Sequence, residues 1–219
     1  MNAFEFLEGL AANNNREWFA AHRGEYEAVR EWWIAGIQRV IDAMAADYEP
    51  SFAGLHARDC IYRINRNLRF SQDKTPYKTH LAALISPHGR RYEKACYYIH
   101  LGLDDNGLYA GVWCPDSAML RKLRNAIVDN IEEFEEILEN PNLEKDFPGW
   151  CGRSLKTIPQ GWPKDHPQAH LLRLQEYGKY HRVDRSFYDQ PDWPERAAAI
   201  LKPTKAFNDF LNYSIDEEL

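Results

Sequence analysis

The strongest constraint on the fold is a stripe of large residues that recurs with helical spacing near the N-terminus. The stripe consists of Trp18, His22, Tyr26, Val29, Trp33, Ile37, Val40 and Met44. Steps of three and four residues place side chains on one face of an α-helix. We therefore predict one long helix, capped by Asn14 with Glu17 completing a capping box, that ends at Glu49 and Pro50. A short helix with Phe4, Leu7 and Leu10 precedes it.

After the long helix the pattern changes to short segments rich in β-forming residues. The segments ACYYIHLGL and LYAGVW flank Asp104, Asp105, Asn106 and Gly107, which is typical of a β-hairpin. CIYRI, YKTHLAALIS and YHRVDRSF are further strand candidates. The fold class is therefore α+β, with a mostly antiparallel central sheet flanked by several helices, in a single domain of residues 1–219.

Two more long helices complete the prediction. One is capped by Asp116 or Ser117 and carries apolar residues at helical spacing, namely Met119, Leu123, Ile127, Ile131, Phe134 and Leu138. The other runs from Trp193 to Leu211 with an interruption near Pro203. Residues 140–167 contain repeated prolines and are predicted to be a loop.

Length and composition exclude several classes of protein. The 219 residues suffice for one buried core, and a hydrophobic fraction of 44% argues against global disorder. The sequence contains neither an apolar run long enough to cross a bilayer nor a signal-peptide pattern at its start. We therefore expect a cytoplasmic protein without a membrane partner. The net charge of −6 disfavours a general nucleic-acid-binding protein.

Positive charge is concentrated in residues 58–94. This segment has nine Lys or Arg residues against three Asp or Glu residues, a net charge of +6 that leaves −12 on the rest of the chain. Because like charges repel each other, such a segment requires anions nearby, either acidic side chains of the same chain or an external ligand. The choice between these two sources is the central functional question.

The candidate ligand-binding residues lie in the middle of this segment. Arg63, Arg66 and Arg69 recur at every third position, which places them on one face of a helical turn but separates Arg66 from the other two on an extended strand. Beyond them, Lys74, Tyr77 and Lys78 surround Pro76, together with Ser71 and Asp73. A turn with two lysines, a hydroxyl and free backbone amides is a plausible anion cradle.

Three functional hypotheses use this segment. The first is a pocket for a small anionic or phosphorylated ligand, paired mainly by Arg63, Arg66 and Lys78 and oriented by Lys74 and Tyr77. The second is an enzyme acting on a phosphorylated or carboxylated small molecule, with Lys74 or Tyr77 as proton donor and Asp73 as base. The third is an interaction protein that docks nucleic acid or an acidic partner. Against all three stands an internal network of ion pairs that needs no ligand.

Outside the basic segment, the sequence contains no strong motif for metal binding or catalysis. His166 and His170 are four residues apart, but no Cys, Asp or Glu lies at matching spacing, so no metal site is expected. His100 lies in a predicted strand, where a hydrogen-bonded histidine on the sheet is the simplest interpretation. The sequence contains no phosphate-binding glycine motif and indicates no cofactor, catalytic residue or oligomeric state.

The basic segment also resembles a known family. RINRNLRFSQDKTPYKTH is similar to the signature R-I-x-R-D-x-R-F-S-K-D-K-[ST]-P-Y-K-T of the domain of unknown function 2461 family. The resemblance extends to FLEGLAANNNREWFAAHRGEY, AGVWCPDSAMLRKLRNAI and LKTIPQGWPKDHP. It implies a shared α+β fold and an important role for this segment, but it supplies no reaction. Asn67 replaces the usual acid and Gln72 a common lysine, so an essential base at position 67 would be missing here.

Overall fold

A computed structural model describes residues 2–69 and 72–217 and confirms the α+β class. The strands form one antiparallel sheet in the order β1-β2-β3-β4, with the bounds β1 His80–Ile85, β2 Cys96–Gly102, β3 Asn106–Val112 and β4 Tyr177–Arg182. The predicted hairpin between β2 and β3 is confirmed. Asn106 stabilises it, since its Oδ1 accepts a hydrogen bond from the Gly102 backbone N–H at 3.0 Å.

Helices make up about half of the chain. Their bounds are α1 Ala3–Ala12, α2 Arg16–Ala21, α3 Arg23–Asp47, α4 Ala57–Cys60, α5 Ser117–Asp129, α6 Ile131–Leu138, α7 Pro141–Asp146, α8 Ala169–Leu172, α9 Arg185–Asp189, α10 Trp193–Leu201 and α11 Lys205–Asp216. Short 3₁₀ turns occupy Pro50–Phe52 and Lys202–Thr204. The second turn contains Pro203 and produces the predicted interruption of the last helix.

The predicted long N-terminal helix is present, but it is divided at His22. The backbone of His22 has φ −107° and ψ 20°, which is not helical. Its ring stacks on Trp18 with centroids 3.9 Å apart, and its Nδ1 lies 2.8 Å from the Trp18 carbonyl oxygen. The side chain thus shares the carbonyl that the helix uses, and α2 ends there. Beyond the break the stripe is buried as predicted, at Val29, Trp33, Ile37, Val40 and Met44.

The predicted cap at Asn14 is wrong by one residue. Asn15 caps α2, since its Oδ1 accepts a hydrogen bond from the Trp18 N–H at 2.8 Å. Asn14 instead bonds the backbone of Tyr77 in both directions, with its Nδ2 donating to the carbonyl at 2.9 Å and its Oδ1 accepting from the N–H at 3.1 Å. A capping box does occur, but in α1, between Asn2 and Glu5.

Four other predicted elements differ from the structure. Residues 140–167, predicted to be a loop, contain helix α7, which Asn140 caps and Pro141 begins. The helix predicted to continue through Leu138 is divided at Asn130 into α5 and α6, although Asp116 caps α5 as expected. CIYRI forms only an isolated bridge between Ile61 and Ala83. In YHRVDRSF, strand β4 ends at Arg182 and helix α9 follows.

The chain divides into two compact units. Unit 1 comprises Met1–Arg91, Tyr98–Leu108 and Arg182–Ala199, and unit 2 comprises Tyr92–Tyr97, Tyr109–His181 and Ile200–Leu219. In unit 1, α3 packs against α1, α4 and β1. Unit 2 has its own apolar core, formed by Ala95, Val112, Leu123, Ile127, Phe134, Leu171, Leu174, Tyr177, Phe207, Phe210 and Leu211.

Within unit 1, a glycine allows α3 to approach a tryptophan closely. Trp193 stacks on Trp33 with ring centroids 5.6 Å apart, and it also covers the backbone of Gly36. A Cβ atom placed at Gly36 would lie 2.1 Å from Cζ2 of Trp193. Any side chain at this position would therefore displace the ring.

Across residues 2–69 and 72–217, the helices are all too short or too polar to traverse a lipid bilayer.

Candidate functional site

Two extended stretches position the central part of the basic segment. Asn65 and Tyr77 form an antiparallel bridge, flanked by hydrogen bonds from the Arg66 N–H to the Pro76 carbonyl at 2.9 Å and from the Lys78 N–H to the Ile64 carbonyl at 2.8 Å. Of the two geometries considered for the arginines, the extended one is therefore observed around Arg66. Arg69 and Lys74 lie between the two stretches, outside any helix or strand.

Arg66 is matched by an acid of its own segment. Its Nη1 lies 2.5 Å from Oδ2 of Asp73 and 3.1 Å from Oγ1 of Thr75. The backbone and side chain of Thr75, and then Arg66, lower the pKa of Asp73. For Arg66, the structure thus shows the internal ion pair. Asp73 is poorly suited to the role of a general base, because its carboxylate is already hydrogen-bonded and its pKa is lowered.

Arg69 and Lys74 are both exposed. The Arg69 N–H donates to Oδ1 of Asn67 at 3.2 Å, and Nζ of Lys74 donates to the Leu68 carbonyl at 3.3 Å. Ser71, part of the predicted cradle, lies outside the described residues. The role of Arg69 and Lys74 in ligand binding stays a prediction.

Tyr77 faces away from the neighbouring Lys78. Its side chain is buried and stacks on Phe19 of α2 with ring centroids 4.0 Å apart and an interplanar angle of 16°. Adjacent residues of an extended segment point to opposite sides, so Tyr77 and Lys78 belong to different surfaces. The contacts of Tyr77 are those of a packing residue, and its role as a ligand contact stays a prediction.

Lys78 and Arg63 carry positive charges that no carboxylate of the described residues matches. Lys78 is half-buried, with Nζ 5.3 Å from the centroid of the Tyr62 ring, and Arg63 is exposed. Within residues 2–69 and 72–217, neither side chain forms an ion pair. Burial lowers the pKa of Lys78, and the positive charges of Arg63 and Arg66 lower it further. Positive charge is therefore not locally balanced around Lys78.

The sequence interpretation missed the groups that surround Lys78. Tyr62 approaches Tyr98 of β2 with ring centroids 6.3 Å apart, and the Tyr98 hydroxyl lies 3.2 Å from Nδ1 of His100. The His100 ring lies 4.6 Å from the ring of His80 on β1. All these residues are half-buried. We call the set Tyr62, Lys78, His80, Tyr98 and His100 the sheet-face cluster.

Both imidazoles of the sheet-face cluster are held in the neutral form. Burial lowers the pKa of His80 to about 4, with further contributions from His100, Lys78 and Arg66. Burial also lowers the pKa of His100, while Asp105 of the hairpin turn opposes both shifts. Within the described chain, the ring nitrogens of His80 have no hydrogen-bond partner. The cluster thus combines an ammonium, two neutral imidazoles and phenols, which can donate several hydrogen bonds to an anion.

Alternation along the strands was the signal that could have revealed the cluster. Lys78 and His80 are two residues apart in YKTHLAALIS, and Tyr98 and His100 are two residues apart in ACYYIHLGL. Side chains two residues apart on a strand share a face, so Tyr98 and His100 lie on one face of β2, and pairing with β1 brings His80 beside them, with Lys78 just before β1.

Most of the remaining cations of the basic segment form an ion pair or hydrogen bonds. Arg58 bonds Glu31 at 2.8 Å and Lys94 pairs with Asp216. Arg90 donates to the backbone carbonyls of Arg58 and Asp59.

The two spaced histidines show contacts other than metal ligation. Nδ1 of His166 accepts a hydrogen bond from the Gln168 N–H at 3.1 Å, and His170 is exposed in α8. In the described part of the chain, no three His, Cys, Asp or Glu side chains converge as metal ligands would.

Fold and site together define an α+β protein that carries a half-buried cationic and imidazole cluster on its sheet. A family model described as "Conserved hypothetical protein (DUF2461)" matches residues 2–210 of this chain. The chain therefore belongs to the DUF2461 family, as its basic segment predicted. No curated protein and no solved structure matches the chain.

Proposed function

We propose that the protein binds a small anionic or phosphorylated ligand at Lys78 and Arg63, beside the sheet-face cluster. The observation that carries the proposal is the unbalanced positive charge of these two residues. Arg58, Arg66 and Lys94 each pair with a carboxylate, whereas Lys78 and Arg63 do not within residues 2–69 and 72–217. An external anion would supply the missing negative charge.

The energetic argument depends on the environment of Lys78. A half-buried ammonium beside two guanidinium groups is less stable than one in water, so an anion that approaches it gains both attraction and relief of repulsion. Hydrogen bonds to charged groups contribute about 1.5–3 kcal/mol each, so two or three of them support roughly micromolar affinity. Arg66 contributes to the positive field although its side chain is engaged by Asp73.

A thermal-shift titration with inorganic phosphate tests the proposal. We expect phosphate to raise the melting temperature of the wild type, and we expect Lys78→Met and Arg63→Met to weaken this effect, because each removes one unmatched charge. The matched controls are Lys156→Met and Arg153→Met, which remove exposed charges of unit 2. The controls should respond as the wild type does.

The result can contradict the proposal in two ways. If phosphate, sulfate, sugar phosphates and nucleotides all fail to stabilise the wild type, no such ligand site exists. If Lys78→Met and Arg63→Met fold and respond like the wild type, the anion binds elsewhere.

A further inference from the structure

Next to the proposed anion site, the structure holds two imidazoles that the sequence interpretation did not assign to any function. Lys78 precedes His80 by two residues, just before β1, and it lies near enough for its charge to contribute to the lowered pKa of His80. The rings of His80 and His100 lie 4.6 Å apart with an interplanar angle of 33°. An anion that contacts Lys78 therefore lies close to His80.

His80 differs from His100 in its hydrogen bonding. Nδ1 of His100 lies 3.2 Å from the Tyr98 hydroxyl, which occupies one of its ring nitrogens. His80 is half-buried, and in the part of the chain that the structure describes, neither of its ring nitrogens is bonded. The ring nitrogens of His80 are not among the fully buried polar atoms, so they can be reached from outside and are free to bond a ligand oxygen.

The charged groups around His80 explain why it is neutral without a ligand. His100 from β2, Lys78 from the segment just before β1 and Arg66 from the facing extended stretch all disfavour a positive charge on the His80 ring. Asp105, from the turn between β2 and β3, acts in the opposite direction on both imidazoles. An anion bound against Lys78 would add a second and closer negative charge, and would thereby favour the imidazolium form.

We propose that His80 is a ligand-binding residue of the anion site and that it takes up a proton when the anion binds, with His100 as its supporting neighbour. This inference rests on the proposed function, because it requires an anion at Lys78. Protonated His80 donates a charge-assisted hydrogen bond to the anion. By linkage, anion affinity must then increase as pH falls.

Sulfate is the appropriate probe, because it does not itself titrate near neutral pH. We expect the dissociation constant of sulfate for the wild type to decrease by roughly tenfold to a hundredfold between about pH 7.5 and about pH 5.5, because uptake of one full proton changes the affinity about tenfold per pH unit and partial uptake changes it less. Isothermal titration calorimetry in two buffers of different ionisation enthalpy counts the protons directly. The same experiment on His80→Gln should show sulfate binding that is nearly independent of pH, since Lys78 remains. His170→Gln, which alters an exposed histidine, should retain the wild-type dependence.

The outcomes separate the two proposals. Sulfate that binds the wild type equally at both pH values and without proton uptake overturns the role of His80 but leaves the proposed function intact. A pH dependence that persists unchanged in His80→Gln overturns the assignment to His80. Absence of sulfate binding to the wild type overturns this inference, and the additional absence of binding of phosphate, sugar phosphates and nucleotides overturns the proposed function as well. The wild-type measurements decide the question of proton uptake even if His80→Gln does not fold.

Discussion

At two side chains of the sheet-face cluster, Lys78 and His80, a positive charge costs free energy. The ammonium of Lys78 and the imidazole of His80 are half-buried beside other cationic or basic groups, and in each case burial is the largest cause of the lowered pKa. Strained electrostatics of this kind are common at functional sites, where a ligand relieves them. The same features make the stability of the free protein depend on pH.

His80 should destabilise the free protein in mild acid. Its pKa is about 4 in the folded state against 6.5 for an ordinary histidine, so between these values the unfolded chain binds the additional proton. The free energy of unfolding therefore falls as pH decreases through this interval. After allowance for solvent screening, we expect the wild type to lose about 2 kcal/mol more than His80→Gln between about pH 7 and pH 4.5.

Urea unfolding in chloride buffers without phosphate or sulfate measures this difference. His170→Gln should lose as much stability in acid as the wild type. An equal loss in His80→Gln would show that His80 titrates normally in the folded protein.

The departure of Asn67 from the family signature has a local structural account. Its Oδ1 accepts the backbone N–H of Arg69 at 3.2 Å, a side-chain turn that aspartate forms equally well. An amide at position 67 can therefore preserve this turn. The requirement for an acidic base at this position does not follow from the observed contacts.

Among the elements, the sequence predicted the helices and the hairpin but not the helix breaks at His22 and Asn130. In both cases a side-chain nitrogen lies near the carbonyl four residues earlier, 2.8 Å from Trp18 for His22 and 3.0 Å from Ala126 for Asn130. The apolar stripe continues across each break, so periodicity alone cannot detect it. The break depends on a rotamer that competes for a backbone acceptor.

The sequence predicted only part of the candidate site. The rest could not be predicted because it depends on contacts between segments that are distant in sequence. Charge composition located Lys78 and Arg63, but it could not distinguish them from Arg66, whose partner is Asp73. His80 and His100 are twenty residues apart in sequence and meet only because β1 and β2 are neighbours in the sheet. Strand register, which fixes such contacts, is not contained in local sequence patterns.

The contact between α3 and Trp193 gives a test at the level of an element. Gly36→Ala should destabilise the protein by about 2 kcal/mol or more, because the new Cβ collides with the Trp193 ring and overpacks the core. Gly24→Ala in the same helix is the matched control, since a Cβ there has nothing within 4 Å. It should be neutral or stabilise by up to about 1 kcal/mol through helix propensity.

Chemical denaturation of both variants measures the difference. Equal stability of Gly36→Ala and Gly24→Ala would show that Trp193 does not pack against α3 as described.

At the scale of the whole molecule, the charge distribution favours a small anion over a long polyanion. The basic segment carries +6 while the rest of the chain carries −12, and several of its cations are matched internally. A polymer that extends beyond Lys78 and Arg63 would meet a predominantly negative chain. The alternative of an interaction protein that docks nucleic acid is therefore disfavoured.

We expect no saturable binding of a single-stranded oligonucleotide at about 0.15 M salt, because counterion release from so few unmatched cations is small. Fluorescence anisotropy with a labelled oligonucleotide checks this expectation, with phosphate binding measured on the same sample. Saturable binding that weakens steeply with salt and is reduced in Lys78→Met would instead support the nucleic-acid alternative.

The paired hydrogen bonds between Asn14 and the backbone of Tyr77 have a consequence for the order of the basic segment. The N–H and carbonyl of Tyr77 point away from the Asn65 bridge, and the Asn14 amide satisfies both. One primary amide thus supplies the two hydrogen bonds that a neighbouring strand would otherwise make. Asn14, in the connection between α1 and α2, thereby fixes the backbone immediately before Lys78 although it lies more than sixty residues away in sequence.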